Sequence, residues 1–171
     1  NWHAAQLDFV LAFPQAPIEK DLCIDVPKGF DTSEGNRKDC ASKIHQNVCG
    51  QKQAGRVWNQ CLVDELVGEL KFVQSRHDEC VFCQGTTMHA SHVDDSTLAG
   101  PDKAETDQTI KEMQEAKLDV TVEGNLQELL GANIERKADS TVHLTQPHLI
   151  DQIPKDLRLE DENVTTMSMP A

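Results

Sequence analysis

The sequence predicts an α+β domain in which an antiparallel sheet carries helices packed on one face. Three observations lead to that expectation. Large apolar residues alternate with polar or smaller ones over residues 4–13, the period of a half-buried strand. From Ala54 to Leu70 they recur every four residues, the period of an amphipathic helix. Residues 79–93 then read as strand, tight turn and strand, ending on the adjacent carboxylates Asp94 and Asp95.

In chain order, the first strand places Leu7, Phe9, Leu11 and Phe13 against Gln6, Asp8 and Val10, so Asp8 lies on the face opposite the large apolar side chains. Pro14 and Pro17 break that run. Leu22 to Val26 is a second short strand closed by Pro27, and residues 31–41 are polar enough for an exposed loop or hairpin. In the helix, Trp58, Leu62, Leu66 and Leu70 form the stripe, which Val57 and Cys61 widen and Gly68 weakens. Gly85-Thr86 joins the strands 79–84 and 88–93, and Ser96 to Ala99 returns as a third strand, which puts the Asp pair at a hairpin tip. Asp102 with Glu105 suits a helix cap, and Ile110, Met113 and Leu118 line the face of the helix that follows. Asp119 to Glu123, Leu129 to Arg136 and Thr141 to Thr145 are strand candidates. A short helix with Leu149, Ile150 and Ile153 opens at Pro147, and Pro154 is expected to end or kink it. The order β-α-β-β-α-β indicates a ferredoxin-like α+β sandwich over residues 1–159, followed by a polar tail, 160–171.

A chain of 171 residues is long enough to bury one real core. No apolar run approaches the roughly 18 residues of a membrane span, so no membrane partner is expected. The start lacks both an initiator Met and the basic-then-apolar pattern of a signal peptide, which fits an internal piece of a longer protein. Cys23, Cys40, Cys49, Cys61, Cys80 and Cys83 are too scattered for a disulfide scaffold, and an intracellular, reduced state is the default. Asn163-Val164-Thr165 matches the N-glycosylation triplet, a short pattern that has meaning only in a secretory context. The net charge of −13 opposes nucleic-acid binding by the chain as a whole. Local patches at Arg37, Lys38 and Lys43, or at Lys52 and Arg56, are the exceptions.

Two constellations have chemical content. Adjacent carboxylates such as Asp94 and Asp95 repel one another unless water or a cation neutralises them. By itself the pair reads first as a solvated acidic turn. With Asp8 on a neighbouring strand it becomes a candidate site for hard divalent cations, of the kind that serves phosphoryl transfer. The second constellation is His77, Cys80, Cys83, His89 and His92, nominally spaced for zinc. Strand geometry argues against it, because Cys80 and Cys83 would point to opposite faces. The better reading is an ordinary half-buried cysteine pair. His3, His45, His143 and His148 have no partners at a suggestive spacing.

Seven segments, in order, resemble the reverse transcriptase domain of copia-type long-terminal-repeat retrotransposons. They are Leu7 to Glu19, with Val26-Pro27-Lys28-Gly29-Phe30 after it; Gly50 to Trp58, similar to the family's LKQAPRxW segment; Asp78 to Phe82; Val93-Asp94-Asp95; Leu129 to Ile134; and Leu144 to Ile150. The resemblance implies a polymerase palm, with Asp8, Asp94 and Asp95 as catalytic metal ligands for Mg²⁺ (or Mn²⁺) and Lys52, Gln53 and Arg56 along the nucleotide and template path. The implied activity is RNA-directed DNA synthesis, transferring a nucleotide from a dNTP to a primer 3′-hydroxyl on an RNA or DNA primer-template. It also implies that fingers, thumb and ribonuclease H segments of a longer polyprotein lie outside this chain, so that the isolated chain would be weak or inactive as an enzyme. His92 and Cys49 stand where the family usually has an aromatic residue or tyrosine, and the chain contains no tyrosine. These departures motivate an alternative, a catalytically decayed module that serves as a structural or assembly subunit by self-association.

Overall fold

The first strand, β1 (His3–Phe9), forms where the alternation predicts and buries Leu7 and Phe9 completely. The computed structural model describes residues 2–30, 36–139 and 141–158, so Asn163 and the tail from residue 160 lie outside the described residues. The strand is shorter than its pattern. Leu11 takes a left-handed φ of 50° and is 73% exposed, and Ala12–Gln15 turn into a short helix, α1. Side-chain alternation continues to Phe13 in the sequence, but the backbone that would extend it has already turned. The Gln15 side chain secures the corner by donating to the carbonyls of Val10 (2.6 Å) and Asp119 (2.9 Å) and accepting from the Asp119 N–H (2.8 Å).

β2 (Pro17–Asp25) pairs antiparallel with β3 (Ala41–Gln46), a strand that the sequence pattern does not reveal. Most of β3 is exposed, so no buried face imposes an alternation on it. The buried Asn47 amide then donates to the carbonyls of Ala16 (3.1 Å) and Pro17 (2.9 Å), tying the exit of β3 back to the α1–β2 junction.

α2 (Ala54–Val63) carries the expected stripe, with Val57, Trp58 and Leu62 buried. Its last turns, Asp64–Glu69, widen to a π-helix in which the Leu70 N–H reaches back to Glu65, and Leu66 remains fully buried. β4 (Val73–Gln74), β5 (Val81–Gln84), β6 (Thr87–His92) and β7 (Asp95–Gly100) follow as an antiparallel meander. α3 (Lys103–Glu115) starts at Asp102, whose carboxylate accepts from the Ala104 N–H at 2.8 Å. Glu105 does not complete the box. Its carboxylate instead takes the Thr86 N–H (3.2 Å) and hydroxyl (2.6 Å), fastening α3 to the β5–β6 turn. β8 (Val120–Asn125) closes the sheet, whose order is β4-β5-β6-β7-β1-β8 with every neighbouring pair antiparallel.

One core lies between this sheet and its helices: Leu7 and Phe9 from β1, Phe82 and Leu98 from β5 and β7, Trp58, Leu62 and Leu66 from α2 and the π turn, and Ile110 and Met113 from α3. His89 is inside it. The register sets His89 beside Phe82 and Leu98, and its ring lies 6.2, 6.2 and 6.0 Å from the rings of Phe9, Phe72 and Phe82. Neither ring nitrogen has a hydrogen-bond partner, and burial holds its pKa down to about 4.

The chain divides into two compact units, one ending at Asn125 and the other beginning at Leu126. In the second unit the expected strand 129–136 is a hairpin, β9 (Glu128–Leu129) and β10 (Ala132–Arg136), turned by Leu130 and Gly131 at φ 51° and 76°. Positive φ at both central residues is what a tight two-residue hairpin needs. β11 (Val142–Thr145) pairs with β10, and α4 (Pro147–Asp156) follows. Pro147 opens α4 as expected, whereas Pro154 neither ends it nor stands outside it. Among the described residues, no helix is long and apolar enough to cross a membrane.

Candidate functional site

β1 is flanked by β7 on one side and β8 on the other. On the β7 side Asp8 faces Asp95 directly. Cross-strand partners project to the same face of a sheet, so these two carboxylates share the face opposite Leu7, Phe9 and Leu98. On the β8 side the register slips between Gln6 and Leu7, passing over Glu123, and Gly124 takes φ 115°. A bulge of this kind bends the strand beside the carboxylates.

Asp94 sits in the turn itself. His92 pairs with Asp95, leaving Val93 and Asp94 as a two-residue hairpin loop. Val93 has φ 60°, where glycine is the favoured residue and a β-branched side chain is strained. Two hydrogen bonds hold the turn. The Trp58 indole N–H donates to the Val93 carbonyl (2.7 Å), and the Phe9 N–H donates to the Asp94 carbonyl (2.9 Å). The two donors pack on each other, with the rings of Phe9 and Trp58 edge to face at 5.3 Å. We predict that Val93→Gly raises stability by about 0.5–1 kcal/mol, the relief of left-handed strain exceeding the added chain entropy of glycine. A urea midpoint above that of the unmodified chain is the expected result, and a lower one would contradict it.

Electrostatics agree with this convergence. Partial burial raises the Asp8 pKa above the ordinary aspartate value, and the negative charges of Asp94 and Asp95 raise it further. The three carboxylates are therefore close enough to repel. They do not yet close around a point: among the described residues, no three His, Cys, Asp or Glu side chains stand as a ready ligand set for a metal ion.

The fold also separates members of the Cys and His constellation. His89 points into the aromatic core, while Cys80 and Cys83 are both exposed rather than half-buried. The cross-strand pairing of His89 with Phe82 takes that ring away from the cysteines.

Lys52, Gln53 and Arg56 lie at the start of α2, with Gln53 as the residue preceding its first turn. Lys52 is exposed. Arg56 is also exposed and forms an ion pair with Glu19 on β2. Trp58 lies in this same stretch of α2, so the helix start and the Asp hairpin are tied together by its indole. Sequence periodicity finds Trp58 as a core residue but gives no sign of its hydrogen bond, because the acceptor is a backbone carbonyl 35 positions away.

The whole chain, residues 1–171, matches the family described as Reverse transcriptase (RNA-dependent DNA polymerase). This chain belongs to that family. The reverse transcriptase domain is also similar to the retrovirus-related Pol polyprotein from transposon TNT 1-94 of Nicotiana tabacum, with 25% identity over 171 residues. That match takes in 96% of the domain and 12% of the polyprotein, and it agrees with a copia-type reverse transcriptase domain. No solved structure matches it.

Proposed function

We propose that this domain is the palm of an RNA-directed DNA polymerase in which Asp8, Asp94 and Asp95 hold divalent metal ions. The observation that carries the reading is the β1–β7 register, which sets Asp8 opposite Asp95 and next to the turn residue Asp94. The sheet supports it: the inner strands run β8-β1-β7-β6, which is fourth-first-third-second in a β-α-β-β-α-β count, the order of a ferredoxin-like palm.

The donor set fits Mg²⁺, and Mn²⁺ in its place. All three ligands are hard carboxylate oxygens, and a divalent cation would relieve the repulsion that raises the Asp8 pKa. Bound there, such ions would supply the charge that activates a primer 3′-hydroxyl and stabilises the oxygen leaving the α-phosphate of a dNTP. The protein's own part is orientation. Asp8 and Asp95 hold their side chains across a paired register, and the hairpin presents Asp94 beside them. Lys52, Gln53 and Arg56 would contact nucleotide and template. The exposed Arg56–Glu19 pair is worth at most about 1 kcal/mol and gives way readily to a phosphate. The domain covers a small part of a polyprotein like its tobacco relative. Fingers, thumb and ribonuclease H segments would come from the rest of such a protein.

The direct test is primer extension with Mg²⁺ or Mn²⁺ by the chain and by Asp94→Asn. Weak incorporation by the first alone is the expected result, and equal incorporation by both would contradict the assigned mechanism. Incorporation by neither would favour the decayed structural module.

A further inference from the structure

We infer that Trp58 is a positioning residue for the carboxylate hairpin, with its indole N–H holding the Val93–Asp94 turn in the conformation that aims Asp94 toward Asp8. The inference rests on the proposed metal site and adds a specific part to it. A two-residue hairpin with a β-branched residue at φ 60° does not keep that conformation by intrinsic preference. Something outside the turn has to hold it. Two donors do so, one on each peptide carbonyl of the loop: Trp58 on Val93 at 2.7 Å and the Phe9 N–H on Asp94 at 2.9 Å.

The two donors are mechanically linked. Their rings meet edge to face, and Phe9 directly follows Asp8 in β1. Trp58 is 2% exposed, so burial of its ring shields the N–H and favours keeping the carbonyl bond. The clamp thereby fixes Asp94 relative to Asp8 through backbone and core and leaves the carboxylates free to bind. Trp58 touches no reacting group. Its indole acts through the turn.

Trp58→Phe keeps an aromatic ring and removes the donor. In the full chain, amide exchange at Phe9 should accelerate about tenfold relative to Leu7, as loss of roughly one hydrogen bond predicts. Mn²⁺ affinity, read from water-proton relaxation, should fall several-fold, while Asp94→Asn should lower it further. A Trp58→Phe chain that keeps both Phe9 protection and Mn²⁺ affinity, while Asp94→Asn loses Mn²⁺, overturns the positioning role and leaves the metal site standing. Equal Mn²⁺ affinity in the unmodified chain and Asp94→Asn overturns the metal site, and with it the role of Trp58 there. Should Trp58→Phe fail to fold, the indole N–H resonance of Trp58 in the unmodified chain decides the matter. Slow solvent exchange and broadening by Mn²⁺ are expected, and exchange at the rate of a free indole overturns the clamp.

Discussion

Asp8→Asn should abolish metal-dependent nucleotide incorporation and at the same time make the fold slightly more stable. In the proposed metal site, losing one of the three carboxylates would forfeit several kcal/mol of charge stabilisation, so incorporation should fall on the order of a thousandfold or more. Stability moves the other way because Asp8 is held against Asp94 and Asp95, which raise its pKa after burial has already raised it. A carboxyl whose pKa is raised by folding binds its proton more tightly in the folded state. Its ionised form therefore weakens the fold, increasingly so as pH rises through the folded pKa. The asparagine chain should gain a few tenths of a kcal/mol at pH 7, given the solvent around the group, and the gain should vanish below the unfolded value of 3.8. Urea midpoints across that range, beside a Mn²⁺ titration, check both halves. A less stable Asp8→Asn chain would show that the carboxylate is already satisfied within the protein.

Acidification from pH 7 to pH 4 should remove roughly 3 kcal/mol of folding free energy through His89 alone. Its pKa falls from 6.5 to about 4 because the ring is wholly buried. The neutral ring is favoured by the fold, so this contribution is complete above pH 6.5 and is lost as pH falls toward 4, where the unfolded chain takes up the proton first. The effect is opposite in sign to that of Asp8 and much larger. His89→Leu fills a similar volume with no polar atoms and ends the desolvation of two unpartnered nitrogens. It should raise stability at pH 7 by about 1–3 kcal/mol and flatten the loss between pH 6.5 and 4. An unchanged acid slope in that variant would place the sensitivity elsewhere.

These two residues also mark where sequence pattern succeeds and where it stops. Asp8 was readable because Leu7 and Phe9 alternate around it, and a strand with one buried face must show that alternation. The helix from Ala54 and the hairpin around Gly85 were readable for the same reason: burial on one side leaves a period in the residue types. Leu11 shows the limit, since it keeps the apolar period after the backbone has turned away. β3 shows the converse, a strand with too little burial to leave a period. His89 carries a polar name into an apolar position, and only its pairing with Phe82 and Leu98 explains its place. The Asp8–Asp95 meeting depends on a register between segments far apart in the chain, which composition and spacing do not contain. The resemblance to a known family brought those residues together before geometry could.

The two-residue loop between β6 and β7 has one more consequence. Side chains in a strand repeat every second residue, so the loop length acts as a reading frame for the whole sheet. With Val93 and Asp94 as the entire loop, Asp95 shares a face with Asp8, and Ser96 and Leu98 fall on the core side. A single residue lost there, with β6 held in place, would bring Ser96 opposite Asp8 and turn Leu98 toward solvent. Substitutions at the hairpin can be graded by degree, but a frameshift of one residue removes the site and the core together.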